Sequence, residues 1–241
     1  MPTIEVCFTP ELYIHKHTQG KHITLIIDVL RASTSICAAL YNNVKAIIPV
    51  CEIEELKRLK QVGYLIASER EGLKLDFADM GNSPSQFLDP KLKGSTIAYS
   101  TTNGTRAISL INEQDETTIY IAALTNLDFL CDFIHQSNEN VVIVCSGWKH
   151  EFSLEDAVVS GAYCEKLLQK SDYVTTCDAS TASIDLWNLA KADLPLYIEK
   201  CKHKHRLTRL GLEESIPFCL ALNTTPVIPI VKDGMITKLN Y

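Results

Sequence analysis

Residues 23–35 read Ile23-Thr-Leu-Ile-Ile-Asp28-Val-Leu-Arg31-Ala-Ser-Thr-Ser35, and this stretch decides the fold class. A short apolar run rich in β-branched residues, cut off by a carboxylate and followed by small residues, is the pattern of a buried strand that feeds a helix. An acid at the end of so apolar a strand is costly unless it is hydrogen-bonded, paired or bound to a metal. Arg31 can grip two phosphoryl oxygens in a planar fork, and the helix start behind it adds partial positive charge. The simpler alternative is that Asp28 caps the helix while Arg31 pairs with it across a turn.

Outward from this stretch, similar apolar runs alternate with segments of helical period. Strands are expected at Ile4–Phe8, Ile23–Asp28, Val44–Val50, Tyr64–Glu69, Ser95–Ser100, Thr118–Ala122, Val141–Ser146 and Ile228–Lys232. Helices are expected at Ala32–Asn42, Glu52–Val62, Thr105–Asn112 and Leu127–Ser137. From Ser153 to Asn223 the chain reads as mostly helical, with one short strand around Tyr173–Thr176. The fold class is therefore α/β: a mainly parallel or mixed sheet flanked by helices, with a more helical second half. No Gly/Ser/Pro linker divides the chain, so residues 1–241 are expected to form a single domain, or two tightly joined lobes at about 1–150 and 151–241.

With 46% hydrophobic and 22% charged residues, the composition excludes disorder and fibrous folds. The excess of 29 Asp+Glu over 23 Lys+Arg argues against a nucleic-acid partner that needs a broad basic face, but allows a local anion site. Apolar runs such as Ile23–Ile27 fall far below the roughly 18–20 residues that cross a bilayer, so no membrane span is expected. No basic segment with an apolar stretch behind it precedes Asp28, and the location is read as cytoplasmic. The nine cysteines are odd in number and include no Cys-x-x-Cys pair, which suits buried thiols in a reducing compartment. No Cys is followed six positions later by Arg, and no Gly-x-x-x-x-Gly-Lys loop occurs, so two common phosphate-handling motifs are excluded.

Ligands of parallel α/β sheets bind beyond the carboxyl ends of the strands, which directs attention to three further strand ends. Glu69-Arg70-Glu71-Gly72 opens a long loop reaching Gly81-Asn82-Ser83-Pro84. Its Glu69, Glu71, Asp76 and Asp79 are hard oxygen ligands of the kind Mg²⁺ prefers, and Arg70, Asn82 and Ser83 are anion donors. Ser100-Thr101-Thr102-Asn103-Gly104-Thr105-Arg106 sets hydroxyls and a glycine before a helix, a natural cradle for phosphate or sulfonate. At Ser146–Asp156, Ser153 with Asp156 fits a capping box, which leaves Glu155 free for a metal shell or general-base role. The basic stretch Lys200–Arg209 reads as a solvated helix face, and His15, His17, His22, His203 and His205 as structural. Together the acids, arginines and anion cradle indicate a Mg²⁺-assisted reaction on a phosphorylated small molecule.

Four of these segments, Asp28-Val-Leu-Arg31-Ala-Ser-Thr, Gly81-Asn82-Ser83-Pro84, Ser100-Thr-Thr-Asn-Gly-Thr-Arg106 and Ser153-Leu-Glu-Asp156, resemble in order the motifs of the 2-phosphosulfolactate phosphatase family of coenzyme M biosynthesis. The resemblance extends from Asp28 to the Pro229 region and takes in His203, Gly211, Leu212-Glu213 and Phe218-Cys219. It differs at Glu71, where a Gly-like residue is expected, and at the bulky Trp148-Lys149-His150. The resemblance implies a Mg²⁺-dependent acid phosphatase that converts 2-phosphosulfolactate, a small phosphorylated sulfonate, to sulfolactate and phosphate, and it allows a homo-oligomer. On that reading Asp28, Arg31 and Glu155 are catalytic, and Asp28 and Glu69, helped by Asp79 or Glu155, hold the metal. Arg70, Asn82, Ser83, Thr101, Thr102, Asn103, Gly104, Thr105 and Arg106 bind substrate. Attack by water is favoured over a phosphoenzyme on Asp28, because Val29 and Leu30 replace an Asp-x-Asp pair. The competing reading is a non-catalytic sensor of a phosphorylated or sulfonated metabolite.

Overall fold

The computed structural model describes residues 1–112, 117–170 and 172–240. Its strands are β1 Thr3–Cys7, β2 His22–Ile27, β3 Ala46–Pro49, β4 Leu65–Arg70, β5 Leu73–Lys74, β6 Thr96–Ser100, β7 Thr117–Ala122, β8 Val141–Cys145, β9 Val174–Thr175, β10 Pro229–Lys232 and β11 Met235–Lys238. The helices are α1 Ala32–Tyr41, α2 Ile53–Gln61, α3 Gly104–Asn112, α4 Leu127–Ser137, α5 Leu154–Lys170, α6 Asp178–Ala190, α7 Leu194–Ile198, α8 Lys202–Arg209 and α9 Ile216–Cys219, with short 3₁₀ turns between some of them. Each expected strand and helix is present within a few residues of its expected bounds, and the chain is an α/β protein with one mixed, mostly parallel sheet. Two elements, β5 and β11, were not expected.

The sheet order is β5-β4-β6-β3-β11-β10-β7-β2-β8-β1-β9. It consists of two parallel blocks: β4, β6 and β3 on one side, and β7, β2, β8, β1 and β9 on the other. An antiparallel hairpin, β10–β11, is wedged between them, pairing Ile230 with Tyr120 of β7 and Ile236 with Ile47 of β3. The hairpin turns through Asp233 and Gly234 at φ 51° and 73°, the left-handed pair that a two-residue connection requires.

The central strands are buried on both faces, which is why they read as continuous apolar runs: all six residues of β2 and all five of β8 are buried. On one face α1 and α3 pack against both blocks, so that Ile36, Ala39, Ile108 and Ile111 share a core with Ile26 and Val144 of one block and Ile47, Ile97 and Tyr99 of the other. On the other face α4–α8 cover β2, β8 and β1. Gly161 permits the close crossing of α5 and α6, since a Cβ there would lie 1.9 Å from the carbonyl oxygen of Ser183. The nine cysteines are free and most are buried, as their spacing suggested. Among the described residues no helix is long and apolar enough to cross a membrane.

Candidate active site

The carboxyl ends of β2, β4 and β6 converge although they belong to different blocks. Asp28 follows β2 at the start of α1: its Oδ1 accepts from the Ala32 N–H at 3.3 Å, and its backbone oxygen accepts from Ser33 N and Oγ, each at 2.9 Å. The Leu30–Arg31 peptide is cis. Gly104 begins α3 directly opposite, where a Cβ would stand 3.0 Å from Asp28 Oδ2 and 2.9 Å from the Ala32 Cβ. Two helix starts therefore meet at one carboxylate, and only a glycine lets them come so close.

Glu69, at the end of β4, is buried and organises the loops. Its Oε2 accepts from Gly72 N at 2.6 Å and from Thr102 Oγ1 at 3.2 Å, and its Oε1 accepts from Thr102 N at 2.7 Å. The expected long loop after Glu69 in fact opens as a tight β4–β5 hairpin with Arg70 opposite Leu73. Glu71 occupies its turn at φ 56°, a left-handed position that explains why a Gly-like residue suits that site.

Arg31, 3% exposed, donates from Nη2 to the Gly72 carbonyl at 3.4 Å and lines a narrow cleft with Asp28, Glu69, Asn82 and Asn103. Asn82 is buried, accepts from the Tyr99 hydroxyl and, through its carbonyl, from Ser35 Oγ. Ser83, also buried, lies 3.2 Å from the Ser85 hydroxyl. Thr101 and Thr105 bond reciprocally, Thr105 N to Thr101 Oγ1 at 3.2 Å and Thr101 N to Thr105 Oγ1 at 3.3 Å, which fixes the turn into α3.

Glu155, in the first turn of α5, is buried within 3.1 Å of His203 Nδ1 on α8. Asp156 accepts from Val29 N at 3.0 Å and Gly147 N at 3.3 Å, so it joins two strand ends instead of closing a capping box with Ser153. Burial, followed by the Glu155 and Asp28 charges, pushes the Asp156 carboxyl well above the usual range. Burial also raises Asp28 to about 6; His203 works against that rise, and Glu69 and Glu155 add to it.

Several expected residues lie outside the cleft. Asp79 sits beside the amino-terminal half of β4, bound by Lys60 Nζ and Ile66 N at 2.8 Å each. Arg70 points to the opposite face of β4 from Glu69 and donates to Ser100 Oγ and the Glu69 and Cys51 carbonyls. Arg106 is turned to the rim, where its Nη2 meets Glu11 Oε1 at 2.6 Å beside His150. His203, read from sequence as structural, lines the cleft, and Trp148 packs against it with ring centroids 5.5 Å apart and the rings tilted by 47°. Trp148, Glu155 and His203 also line a groove of about 820 Å³ along α8, together with Lys202 and Arg206.

A family model described as 2-phosphosulpholactate phosphatase matches residues 7–234. The chain belongs to the 2-phosphosulfolactate phosphatase family. It is 36% identical over 216 residues to a "Probable 2-phosphosulfolactate phosphatase" of Caldanaerobacter subterraneus subsp. tengcongensis, covering 88% of each chain. A protein of the same name from Pseudothermotoga lettingae is 34% identical over 236 residues, 98% of each chain. One from Clostridium perfringens is 32% identical over 239 residues, covering 97% of this chain and 95% of the relative. The matched family is one of phosphoric monoester hydrolases, and the matched residues take in the three converging strand ends described above.

Among the described residues no three His, Cys, Asp or Glu side chains converge closely enough to hold a metal ion by themselves. A 2-phosphosulfolactate phosphatase site does not need three if the ion is Mg²⁺, which is commonly held by one or two carboxylates, waters and a substrate phosphate. Asp28 fits that role. It is a hard oxygen donor whose negative charge is opposed by burial and by two neighbouring carboxylates, an imbalance that a divalent cation relieves.

Proposed function

We propose that this chain hydrolyses 2-phosphosulfolactate, or a related phosphorylated hydroxy acid, to the free hydroxy acid and inorganic phosphate, with Mg²⁺ bound. The observation that carries this reading is the meeting of Asp28, Arg31 and the starts of α1 and α3 in one cleft, in a chain aligned almost end to end with relatives of that name.

The amino ends of α1 and α3 direct partial positive charge at the place a phosphoryl group would take, and the buried Arg31 guanidinium adds a full charge with a planar fork. Asn82 and Asn103 supply neutral polar groups that orient the ester. Asp28, with Glu69 and Glu155 nearby, would hold Mg²⁺, which when bound neutralises phosphoryl charge and makes a coordinated water more acidic. Glu155 is the proton acceptor for the attacking water, and His203 at its Oε1 holds the carboxylate in place. Water oxygen bonds to phosphorus as its proton passes to Glu155, the phosphorus–ester oxygen bond breaks, and the ester oxygen takes up a proton returned by Glu155 directly or through solvent, so that the hydroxy acid leaves and the carboxylate is restored.

Phosphate release from a panel of phosphorylated hydroxy acids, 2-phosphosulfolactate included, tests this with and without Mg²⁺. Release that requires Mg²⁺ and disappears in Asp28→Asn is the expected result. Saturable binding with no release from any ester would instead identify a sensor. Rapid quench with labelled ester separates the two routes of hydrolysis, because a trapped phosphoenzyme absent from Asp28→Asn would replace direct water attack with a covalent mechanism.

A further inference from the structure

Arg206 lies on α8 one turn beyond His203, and its guanidinium carbon is 3.2 Å from the centroid of the Trp148 ring. Its Nε and Nη2 are buried and meet no hydrogen-bond acceptor. Buried guanidinium donors normally have acceptors, since desolvating them without replacement is costly. Here the uncovered part of the side chain faces the 820 Å³ groove, whose wall along α8 is basic through Lys202, His205 and Arg209. At its inner end the groove shares Trp148 and His203 with the catalytic cleft. A molecule whose phosphoryl group rests at Asp28 would therefore extend past His203 toward Arg206.

The geometry points to Arg206 as a specificity-determining residue: its fork receives a second oxyanion, a carboxylate or sulfonate, carried on the carbon skeleton of the phosphoester. This rests on the phosphatase reading above and deepens it. The phosphoryl group is handled by Asp28, Arg31 and the helix starts, while the second anion is read separately on α8. The Trp148 ring lies against the Arg206 guanidinium, on a loop where Gly147, Lys149 and His150 all have positive φ. An incoming oxyanion meets those donors in the plane of the guanidinium, which leaves the indole in place. A planar guanidinium suits this task better than an ammonium, because it can give two parallel hydrogen bonds to one oxyanion and still lie flat on the ring.

The test compares 2-phosphosulfolactate, 2-phospholactate and isopropyl phosphate as substrates for the wild type, Arg206→Met and Arg206→Lys, with circular dichroism to confirm folding. The preference of the wild type for the two anionic esters over isopropyl phosphate, taken as a ratio of kcat/KM, should fall by about 10-fold or more in Arg206→Met, mainly through KM, and recover in part in Arg206→Lys. A ratio within about 2-fold of wild type, with all esters slowed together, would overturn the assignment and make Arg206 structural. Calorimetric titration with sulfolactate provides a readout independent of turnover: Arg206→Met should lose this binding while inorganic phosphate still binds, and equal loss of both would refute the proposal. If the wild type hydrolyses none of the esters, the phosphatase reading fails, and the titration still decides whether Arg206 holds an oxyanion.

Discussion

Glu69 accepts the backbone N–H of Thr102 at 2.7 Å across 33 positions of sequence, so the tip of the β4–β5 hairpin and the turn into α3 behave as one unit. The second oxygen of the carboxylate, bonded to Gly72 N and Thr102 Oγ1, completes the tie. Glu69 thereby positions the two adjoining loops that line the cleft through Gly72 and Asn103.

Glu69→Ala leaves those donors without their acceptor in a buried place. A loss of about 2–4 kcal/mol in unfolding free energy is expected, with phosphate release reduced beyond what the unfolded fraction explains. Urea unfolding and activity measured on the same preparations check this. A variant as stable as wild type would show that water replaces the carboxylate and that the loops do not depend on it.

Asp28 gives the stability a pH dependence of definite sign. Its carboxyl is raised from 3.8 to about 6 in the folded chain, so between those values the native state holds more proton than the unfolded state. The associated stability is full below the lower value and is lost as pH rises through about 6. In chelator, Asp28→Asn should therefore be more stable than wild type at pH 7.5, by about 1–3 kcal/mol, and the difference should close toward pH 4. A difference that does not change with pH would refute this account of Asp28.

Gly104→Ala would press a methyl group against Asp28 Oδ2 and the Ala32 Cβ, at 3.0 and 2.9 Å. Relief requires one helix start to move away from the other. The expected cost is about 1–3 kcal/mol in stability, with kcat down by about 10-fold or more because the two helix starts no longer face one phosphoryl position. Unchanged kcat in a folded variant would mean that their spacing is irrelevant to turnover.

Asp79 and Glu155 should part company when Mg²⁺ affinity is measured by titration. The Lys60–Asp79 pair is half exposed at 39% and 37%, and removing it with Asp79→Asn is expected to cost under about 1 kcal/mol and to alter affinity by less than about 2-fold. Glu155→Gln removes a charge beside Asp28 and should weaken Mg²⁺ binding by about 10-fold or more and slow turnover. The reverse ranking would return Asp79 to the metal site.

The strands that carry the site were legible because they are buried on both faces and end in residues an apolar environment rejects unless they are partnered, Asp28 and Glu69 above all. The hairpin strand β11 was missed although Asp233-Gly234 is a strong turn signal, because four residues of mixed character after it show little alternation. Arg70 was assigned to substrate by its neighbourhood, whereas strand alternation sends adjacent side chains to opposite faces, so Glu69 and Arg70 could not both enter the cleft. His203 was hidden for a different reason. Its segment has the composition of a solvated basic helix, and the residue that draws it to the cleft, Glu155, is 48 positions away. Glu155 itself stood out once Ser153 and Asp156 were set aside as a cap, although Asp156 proves to serve the backbone of Val29 and Gly147.

The wedge formed by β10 and β11 bears on how the molecule comes into being. Residues 229–238 come after every other strand in the sequence, and among the described residues they alone join β3 to β7 in the sheet. A nascent chain can pair β2 with β7 and β4 with β6 well before this, but each half then carries a raw strand edge able to recruit a neighbouring chain. Closure awaits residues 229–238, so a message truncated before Pro229 would yield two adhesive half-sheets.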